Sequence, residues 1–339
     1  MNAYRPLAWA AFAIVCLVWG TTYLAIRIAL DTIPPLLLTG SRFTVAGLMM
    51  LAIARLRGER IPRDLRTLAH LLLIGFLMVG VGNLAVAWAE QWVPSGLAAL
   101  FVATAPFWMA FIEAFRRHGE RVGLRTGIGM AIGFAGVALL VTPGVSGAWS
   151  VPFLLGAIAI QVGGIAWQLG SVHGKYNLRH VPLLSSAALQ MLFGGTIVSV
   201  VGVAAGEVAH LSFTTRSVAA LVYLTLFGSV LAYSAYVYAL AHMNTMHVSL
   251  YAYINPVVAV FLGWLILSEP LTPLSIVSMV VILFGVALVQ GGGWRREALA
   301  AVAGGGAGVG HQTIEQRLPG EISSHPTTDA GISRRRESA

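Results

Sequence analysis

Three ionisable side chains interrupt apolar stretches of the chain. Arg27 lies late in the first stretch, Arg42 early in the second and Glu90 at the end of the third. Ionisable groups inside a membrane are energetically costly, which makes them candidates for function. Arg27 or Arg42 would partner a substrate carboxylate, and Glu90 would act as a proton-sensitive gate. In the alternative interpretation Arg42 pairs with Glu90, or reaches the interface, and only holds helices together.

Polar and aromatic side chains also lie near the middle of these stretches. An unpaired amide in hydrocarbon costs several kcal/mol, so we expect the amides to face protein or water. Aromatic walls with a few amides suit a small amphipathic solute such as an amino acid, or a flat organic cation held by cation–π contact. For each aromatic residue, packing within a helix bundle is the alternative. The candidate substrate-binding residues are Trp19, Tyr23, Asn83, Trp88, Trp167, Tyr236 and Asn255.

Two prolines lie at matching places inside apolar stretches. Pro106 in "VATAPFWMAF" and Pro256 in "YAYINPVVAVF" are 150 positions apart. A proline inside a helix removes a backbone hydrogen bond at a cost of roughly 3 kcal/mol, so we predict a helix kink at both. Asn255 is the preferred single candidate, because the kink at Pro256 leaves a carbonyl without its usual donor beside the Asn255 amide. Helix bending that only fits a bundle together is the alternative.

The composition requires a membrane around these groups. Of the 339 residues, 57% are hydrophobic and 10% are charged, and the mean hydropathy is +0.80. Soluble domains carry about a quarter charged residues. A spanning helix needs about 20 mostly apolar residues, and ten stretches meet this requirement. They lie near 7–30, 34–55, 68–90, 94–115, 122–142, 151–173, 182–205, 217–240, 246–267 and 272–290.

The ten stretches divide into two repeats. Pro106 and Pro256 match at an offset of 150 residues, and "GVAL" occurs at both 136 and 285. Each half has five spans, an odd number, so the second half is inserted upside down relative to the first. The predicted fold is an all-α polytopic membrane protein of ten transmembrane helices, arranged as two inverted five-helix repeats at 7–142 and 151–290. Residues 291–339 are glycine-rich and polar, and we expect them to form a disordered cytoplasmic tail.

The loops carry an uneven distribution of positive charge. Nearly all loop arginines and lysines fall on one side of the predicted membrane, and Arg216 alone falls on the other. Because cytoplasmic loops are enriched in Lys and Arg, we predict that both termini are cytoplasmic, in a bacterial-type inner membrane. Inverted repeats recur in secondary transporters, where the substrate site lies near the midplane between the halves.

Several other protein classes are disfavoured by the motifs. The spans contain no "HExxH", "GxSxG" or paired acidic motif, and the chain has no "GxxxxGK[ST]", so we expect neither an enzyme nor a primary pump. The single cysteine, Cys16, offers no metal cluster, and we expect no cofactor, no metal and no nucleic-acid partner. His242 and His247 are interpreted as interfacial. The small residues of "GMAIG", from Gly129 to Gly133, predict a close helix contact within the bundle or in a homodimer.

Three longer stretches together resemble a known family. They are "VWGTTYLAIRIALDTIPPLLLTGSRFTVAG", "VGNLAVAWAEQWVPSGLAALFVATAPF" and "SLYAYINPVVAVFLG", and they are similar to the EamA group of the drug/metabolite transporter superfamily, nearest to its YedA-type exporters. The resemblance covers residues from about 8 to 290. It implies a ten-helix secondary carrier of the inner membrane that exports small metabolites such as amino acids. Efflux of toxic organic compounds or cations is an alternative, and a membrane receptor or channel is the alternative from another class.

Overall fold

The computed structural model describes residues 4–115, 124–140, 150–243, 248, 251–285 and 287–288. Within these ranges the chain is helical and has no β-strand. Seven helices are long and apolar enough to cross a membrane, and three shorter apolar helices accompany them. A polytopic all-α membrane protein is therefore confirmed, while the count of ten spans remains a prediction. The predicted disordered tail, Glu120 and His247 lie outside the described residues.

The helices are numbered here in chain order. Two π-helical segments, π1 (Phe76–Asn83) and π2 (Leu224–Leu231), continue α3 and α10 respectively. The α-helices are α1 (Tyr4–Ala29), α2 (Pro35–Leu56), α3 (Leu65–Gly75), α4 (Leu84–Ala89), α5 (Ser95–Val102), α6 (Ala105–Ala114), α7 (Leu124–Leu140), α8 (Val151–Asn177), α9 (Leu183–Ala204), α10 (Thr215–Tyr223), α11 (Ala232–His242), α12 (Tyr251–Leu267) and α13 (Pro273–Gly285).

Side-chain caps begin several of these helices outside the apolar segments. Asp64 precedes α3, and its carboxylate accepts a hydrogen bond from the backbone N–H of Thr67 at 2.8 Å. This bond lowers the pKa of Asp64, because it stabilises the ionised carboxylate. Thr214 and Ser217 form a capping box at the start of α10. The capped residues therefore mark where the chain enters an apolar span.

Helices α2 and α9 pack so closely that only glycine fits at their contacts. A Cβ on Gly40 would lie 2.5 Å from the backbone nitrogen of Ser199, and a Cβ on Gly195 would lie 2.4 Å from that of Thr44. Higher residue numbers in α2 meet lower numbers in α9, so the two helices run antiparallel. Close approach through small residues is a usual source of helix association in membranes. Corresponding helices of two inverted repeats would have this antiparallel relation.

The same two helices exchange glutamate caps at opposite ends. Glu59 follows α2 and accepts hydrogen bonds at the start of α9 from Ser185, through the backbone nitrogen at 3.0 Å and the hydroxyl at 2.9 Å. Glu207 follows α9 and accepts from the backbone nitrogens of Leu36 at 3.2 Å and Leu37 at 2.8 Å, at the start of α2. Carboxylates are stabilising at helix N-termini, because unpaired N–H groups and the helix dipole meet them there. The glutamate that follows each helix therefore caps the N-terminus of the other helix.

A third glutamate caps α5 from the second half of the chain. Glu269 follows α12 and accepts from the backbone nitrogens of Ser95 at 2.8 Å and Gly96 at 3.1 Å. The sequence repeat matches Glu269 with Glu120, which is outside the described residues. The caps link the two halves of the chain at their ends, and the glycines link them along their length.

The "GMAIG" stretch of α7 packs against α13. A Cβ on Gly285 would lie 2.5 Å from the backbone nitrogen of Gly133 and 2.7 Å from the carbonyl oxygen of Gly129. This small-residue face is therefore used inside the chain, which was one of the two predicted possibilities. The homodimer remains a prediction.

The two prolines have different local structures. Pro106 lies in the first turn of α6, and α5 ends just before it, so the fourth apolar stretch is interrupted at Ala103–Thr104. Pro256 lies inside α12, which continues from Tyr251 to Leu267. The matching positions in the sequence thus give an interruption in one half and an unbroken helix in the other.

The π-helical segments lie at equivalent places in the two halves. Each has eight residues, π1 after α3 and π2 after α10. A π-helix bonds each N–H to a carbonyl one residue further back than in an α-helix, and such segments are frequent at functional sites. The widened turns release carbonyl groups that side chains of other helices can reach. Sequence patterns contained no signal for either segment.

Candidate functional site

A central cavity of about 80 Å³ lies between the two halves of the chain. This volume is smaller than that of typical small-molecule sites, roughly 300–1,000 Å³. Its walls come from α1, α2, α4, α5, α6, α8, α11 and α12 and from both π segments. Of the predicted binding residues, four line it: Trp19, Tyr23, Asn83 and Trp167.

Aromatic rings form much of the cavity wall. The Trp19 ring centroid lies 5.4 Å from that of Trp167, with the two planes nearly perpendicular, and 5.1 Å from that of Tyr251. Edge-to-face contacts of this kind stabilise aromatic clusters. Tyr233 lies 6.0 Å from Trp167. The rings hold one another in place and present apolar faces to whatever occupies the cavity.

The π segments take part in this wall. Trp19 donates its indole N–H to the carbonyl oxygen of Gly228 in π2 at 3.1 Å. In π1, the Asn83 amide nitrogen donates to the carbonyl oxygen of Met78 at 3.3 Å. Both bonds use main-chain carbonyls within the membrane-spanning region, where an unpaired carbonyl would be costly. The structure therefore gives Asn83 and Trp19 a position on the wall and a fixed orientation.

Arg42 is the ionised side chain on the wall of the central cavity. It is 5% exposed, its Nε donates to the Ser229 hydroxyl at 3.2 Å, and its guanidinium lies 4.4 Å from the centroid of the Phe43 ring. Among the described residues that line the cavity, none is Asp or Glu. A guanidinium carries five donors in a fixed fork that matches a carboxylate. The cavity consequently has a positive wall without a fixed counter-charge on it.

Arg27 and Glu90 lie behind this wall. Arg27 donates to the backbone carbonyl oxygen of Glu90. The Glu90 side chain is fully buried, and both of its carboxylate oxygens lack a hydrogen-bond partner. Arg27 and Arg42 both act electrostatically on that carboxylate. No hydrogen bond joins either arginine to the Glu90 carboxylate, and of the three residues only Arg42 lines the cavity.

Gln161 on α8 has all of its hydrogen-bonding groups engaged. Its Oε1 accepts from the Thr104 hydroxyl at 2.8 Å and from the Trp108 indole at 2.9 Å, and its Nε2 donates to the carbonyl oxygen of Phe101 at 3.1 Å. These bonds bridge α8 to the interruption between α5 and α6. Gln161 thus supplies a hydrogen-bond donor to the Phe101 carbonyl at the point where the helix is interrupted.

Gln190 on α9 is also paired. Its Oε1 accepts from the Tyr233 hydroxyl at 2.9 Å, and its Nε2 donates to the Ser186 hydroxyl at 2.8 Å.

Gln168 on α8 differs from Gln161 and Gln190. It is 1% exposed and lines the central cavity, yet neither its Oε1 nor its Nε2 has a hydrogen-bond partner.

A second cavity, of about 580 Å³, lies beside the first. Lys175 and Arg179 line it near the end of α8, so it belongs to the side of the protein that carries the basic loops. Tyr236 lines this cavity, and its hydroxyl accepts from the Trp167 indole at 3.2 Å and bonds to the Ser171 hydroxyl at 2.9 Å. Since Trp167 lines the central cavity, this bonded layer stands between the two cavities.

Two predicted binding residues have other surroundings. Trp88 packs against Trp92, with ring centroids 4.8 Å apart, and is not among the residues that line the described cavities. Asn255 is buried. With the amide oriented so that its nitrogen faces two carbonyl oxygens, it donates to Tyr251 at 3.1 Å and to Cys16 at 3.0 Å. The carbonyl of Cys16 belongs to α1, so Asn255 ties α12 to α1. The structure does not place the preferred candidate on the cavity wall.

These features define a class of protein. Multiple apolar helices, two structurally related halves and a polar cavity between them describe a polytopic membrane transporter. The model of the EamA-like transporter family matches residues 7–142 and again 154–290, and the chain belongs to this family. Membership places the chain among transporters and not among enzymes.

The relatives agree with this assignment. The chain is 39% identical over 302 residues to the uncharacterized inner membrane transporter YedA of Escherichia coli K12, covering 88% of this chain and 95% of that protein. It is 28% identical over 306 residues, 86% of this chain and 97% of the relative, to a probable terminal-alkyne amino-acid exporter of Streptantibioticus cattleyicolor. The chain is thus a multi-pass protein of a bacterial-type inner membrane.

A solved crystal structure shares the fold. It superimposes with a TM-score of 0.63 over 83% of this chain and 95% of its own, at 20% sequence identity. At that identity the likeness concerns the fold alone.

Proposed function

We propose that this transporter is a secondary carrier that exports amino acids or related small amphipathic metabolites by alternating access. Two cavities on either side of the Trp167–Tyr236 bond support this mechanism. In alternating access, a central site is open to one side of the membrane at a time. The bonded layer is a barrier that a substrate must pass between the larger cavity and the central one.

The observation that carries the substrate class is Arg42. Arg42 is buried on a cavity wall that carries no Asp or Glu, and a bound carboxylate would offset the cost of burying its charge. The aromatic faces of Trp19 and Trp167 suit the apolar part of such a substrate. An organic cation would meet a like charge in the same space, so Arg42 disfavours the alternative of cation efflux. The name of the Streptantibioticus relative, a probable terminal-alkyne amino-acid exporter, agrees with this class.

The proposed topology has ten spans in two inverted repeats, with both termini in the cytoplasm. The antiparallel contact of α2 with α9 and the basic residues at the end of α8 support it. An alkaline phosphatase, active only in the periplasm, is fused after Gly293. We expect no activity from the fusion; strong activity would refute the proposed topology and with it the inverted repeat.

Counterflow in proteoliposomes tests the function. Vesicles are loaded with an unlabelled amino acid, and the uptake of the labelled compound is measured against that of a labelled organic cation. We expect saturable counterflow of the amino acid and none of the cation. Arg42→Gln should lose counterflow, and Arg42→Lys should retain part of it because the charge is kept. Flux that does not saturate would indicate a channel, and binding without flux would indicate a receptor.

A further inference from the structure

Gln168 has an unusual position for a buried amide. In the part of the chain that the structure describes, most buried side-chain polar atoms are bonded, and those without a partner belong to Glu90, Ser95 and Gln168. Of these three residues, only Gln168 lines the central cavity. An unpaired buried amide costs about 1–3 kcal/mol. A protein that retains such a group at a cavity wall has a use for the hydrogen bonds that the group can make.

Its neighbour on the same helix shows that this environment can satisfy a glutamine. Gln161 lies seven residues earlier, two helical turns away, so both side chains project from nearly the same face of α8. Gln161 is engaged at both ends of its amide by Thr104, Trp108 and Phe101. The difference between the two glutamines therefore follows from their surroundings: Gln161 lies against a broken helix, and Gln168 is buried in the wall of the cavity.

The chemistry of the wall defines the partner. The Gln168 amide offers one acceptor oxygen and two N–H donors, while Arg42 offers donors and a positive charge. A substrate that satisfies all of them carries an anionic acceptor and a donor close together. An α-amino acid has this arrangement, since its ammonium and carboxylate groups are attached to the same carbon atom.

We propose that Gln168 is a specificity-determining residue that reads the zwitterionic head of an α-amino acid, its Oε1 accepting from the ammonium group and its Nε2 donating to the carboxylate that Arg42 binds. This inference rests on the proposed function and deepens it. Arg42 by itself would select any carboxylate. Gln168 adds a preference for the acid that also carries an ammonium group, and the aromatic walls take an apolar side chain.

Three probes with the same phenyl group and different head groups separate these contributions. Phenylalanine has both head groups, 3-phenylpropanoate lacks the amine, and phenethylamine lacks the acid. The wild-type protein should bind and counterflow phenylalanine best, bind 3-phenylpropanoate more weakly, and bind phenethylamine least. Binding is measured as the ligand-induced rise in melting temperature of the purified protein, independently of transport.

The variants are Gln168→Met, which keeps the length of the side chain, and Gln161→Met as the matched control. Gln168→Met should bind phenylalanine about 10- to 100-fold more weakly, because one or two bonds to charged groups are lost. Its preference for phenylalanine over 3-phenylpropanoate should also fall to near one. The melting temperature of unliganded Gln168→Met should equal or exceed that of the wild type, because an unpaired amide has been removed. Gln161→Met should melt at a lower temperature and keep the preference for phenylalanine.

The outcomes distinguish this inference from the proposed function. Unchanged affinity and preference in a well-folded Gln168→Met variant would overturn the role of Gln168 while leaving transport intact. Binding of phenylalanine that depends on Gln168, without counterflow, would support the recognition and refute the carrier. Wild-type protein that binds none of the three probes would overturn the recognition.

Discussion

The glycine contact between α2 and α9 permits a quantitative prediction. In Gly195→Ala the new Cβ would lie 2.4 Å from the backbone nitrogen of Thr44 and 2.8 Å from the carbonyl carbon of Phe43. Ordinary contact for a Cβ begins at 3.4 Å, so the helices must separate by about 1 Å. Both opposing atoms are backbone, and no side-chain rotation relieves the overlap. Overpacking of this kind costs about 1–3 kcal/mol.

A helix-propensity gain partly offsets this cost. Alanine is more favourable than glycine inside a helix by about 1 kcal/mol, so the net loss for Gly195→Ala is about 2 kcal/mol at the upper end of the overpacking range. Phe43 and Arg42 are next to the contact and both line the cavity. The separation of α2 from α9 should therefore reduce substrate affinity as well as stability.

Gly174→Ala is the matched control on α8. Its nearest neighbour is the Cδ1 atom of Ile74 at 3.4 Å, which is ordinary contact. We expect this variant to be as stable as the wild type or slightly more stable. Thermal unfolding of the purified proteins in detergent, followed by tryptophan fluorescence, compares the two. Gly195→Ala should melt several degrees below Gly174→Ala; equal melting temperatures would refute the argument that backbone contact at glycine holds α2 against α9.

Three other substitutions test separate contacts. Glu207→Ala removes the cap of α2 and should lower stability by about 1–2 kcal/mol, measured by thermal unfolding; a variant as stable as the wild type would show that solvent replaces the cap. Tyr236→Phe leaves the Trp167 indole without its hydroxyl acceptor and should speed counterflow by weakening the layer between the cavities, and an unchanged rate would exclude that layer as a barrier. Asn255→Ala removes the tie to the Cys16 carbonyl and should lower the melting temperature while the apparent affinity for substrate is kept; a loss of affinity in a stable variant would return Asn255 to the site.

The class of the protein was predictable from composition. The free energy of transferring a helix from water into the bilayer depends on how many apolar residues follow one another. That number can be read from the sequence without knowledge of the fold. The matching prolines and the repeated "GVAL" stretches likewise indicated two related halves, and two matches of one family model agree with that indication. Arg27, Arg42 and Glu90 could be singled out for the same reason, since a charge within an apolar run is visible without knowledge of its neighbours.

The roles of individual polar residues were not predictable in this way. Gln161, Gln168 and Gln190 have the same chemistry and similar apolar surroundings in the sequence. Two of them are hydrogen-bonded at both ends of the amide, whereas Gln168 is unpaired and lines the cavity. Asn255 was predicted to lie in the binding site because it is next to the kink expected at Pro256. Its hydrogen-bond partner on α1 lies more than two hundred positions earlier in the chain. Whether a polar group is satisfied depends on partners from other helices.

The charge cluster shows the same division. Arg42 lies early in the second apolar stretch and Glu90 at the end of the third, so the order of the spans predicts a similar depth in the membrane for both. Only the packing of the helices decides that Arg42 turns toward the cavity and Ser229 while Glu90 stays behind the wall. Depth is set by the position of a residue along its own helix, whereas the direction of a side chain relative to a cavity is set by how that helix is rotated against its neighbours. The sequence by itself therefore determined the membrane class and the repeats, and the tertiary structure decided which of the charged groups lies on the wall of the cavity.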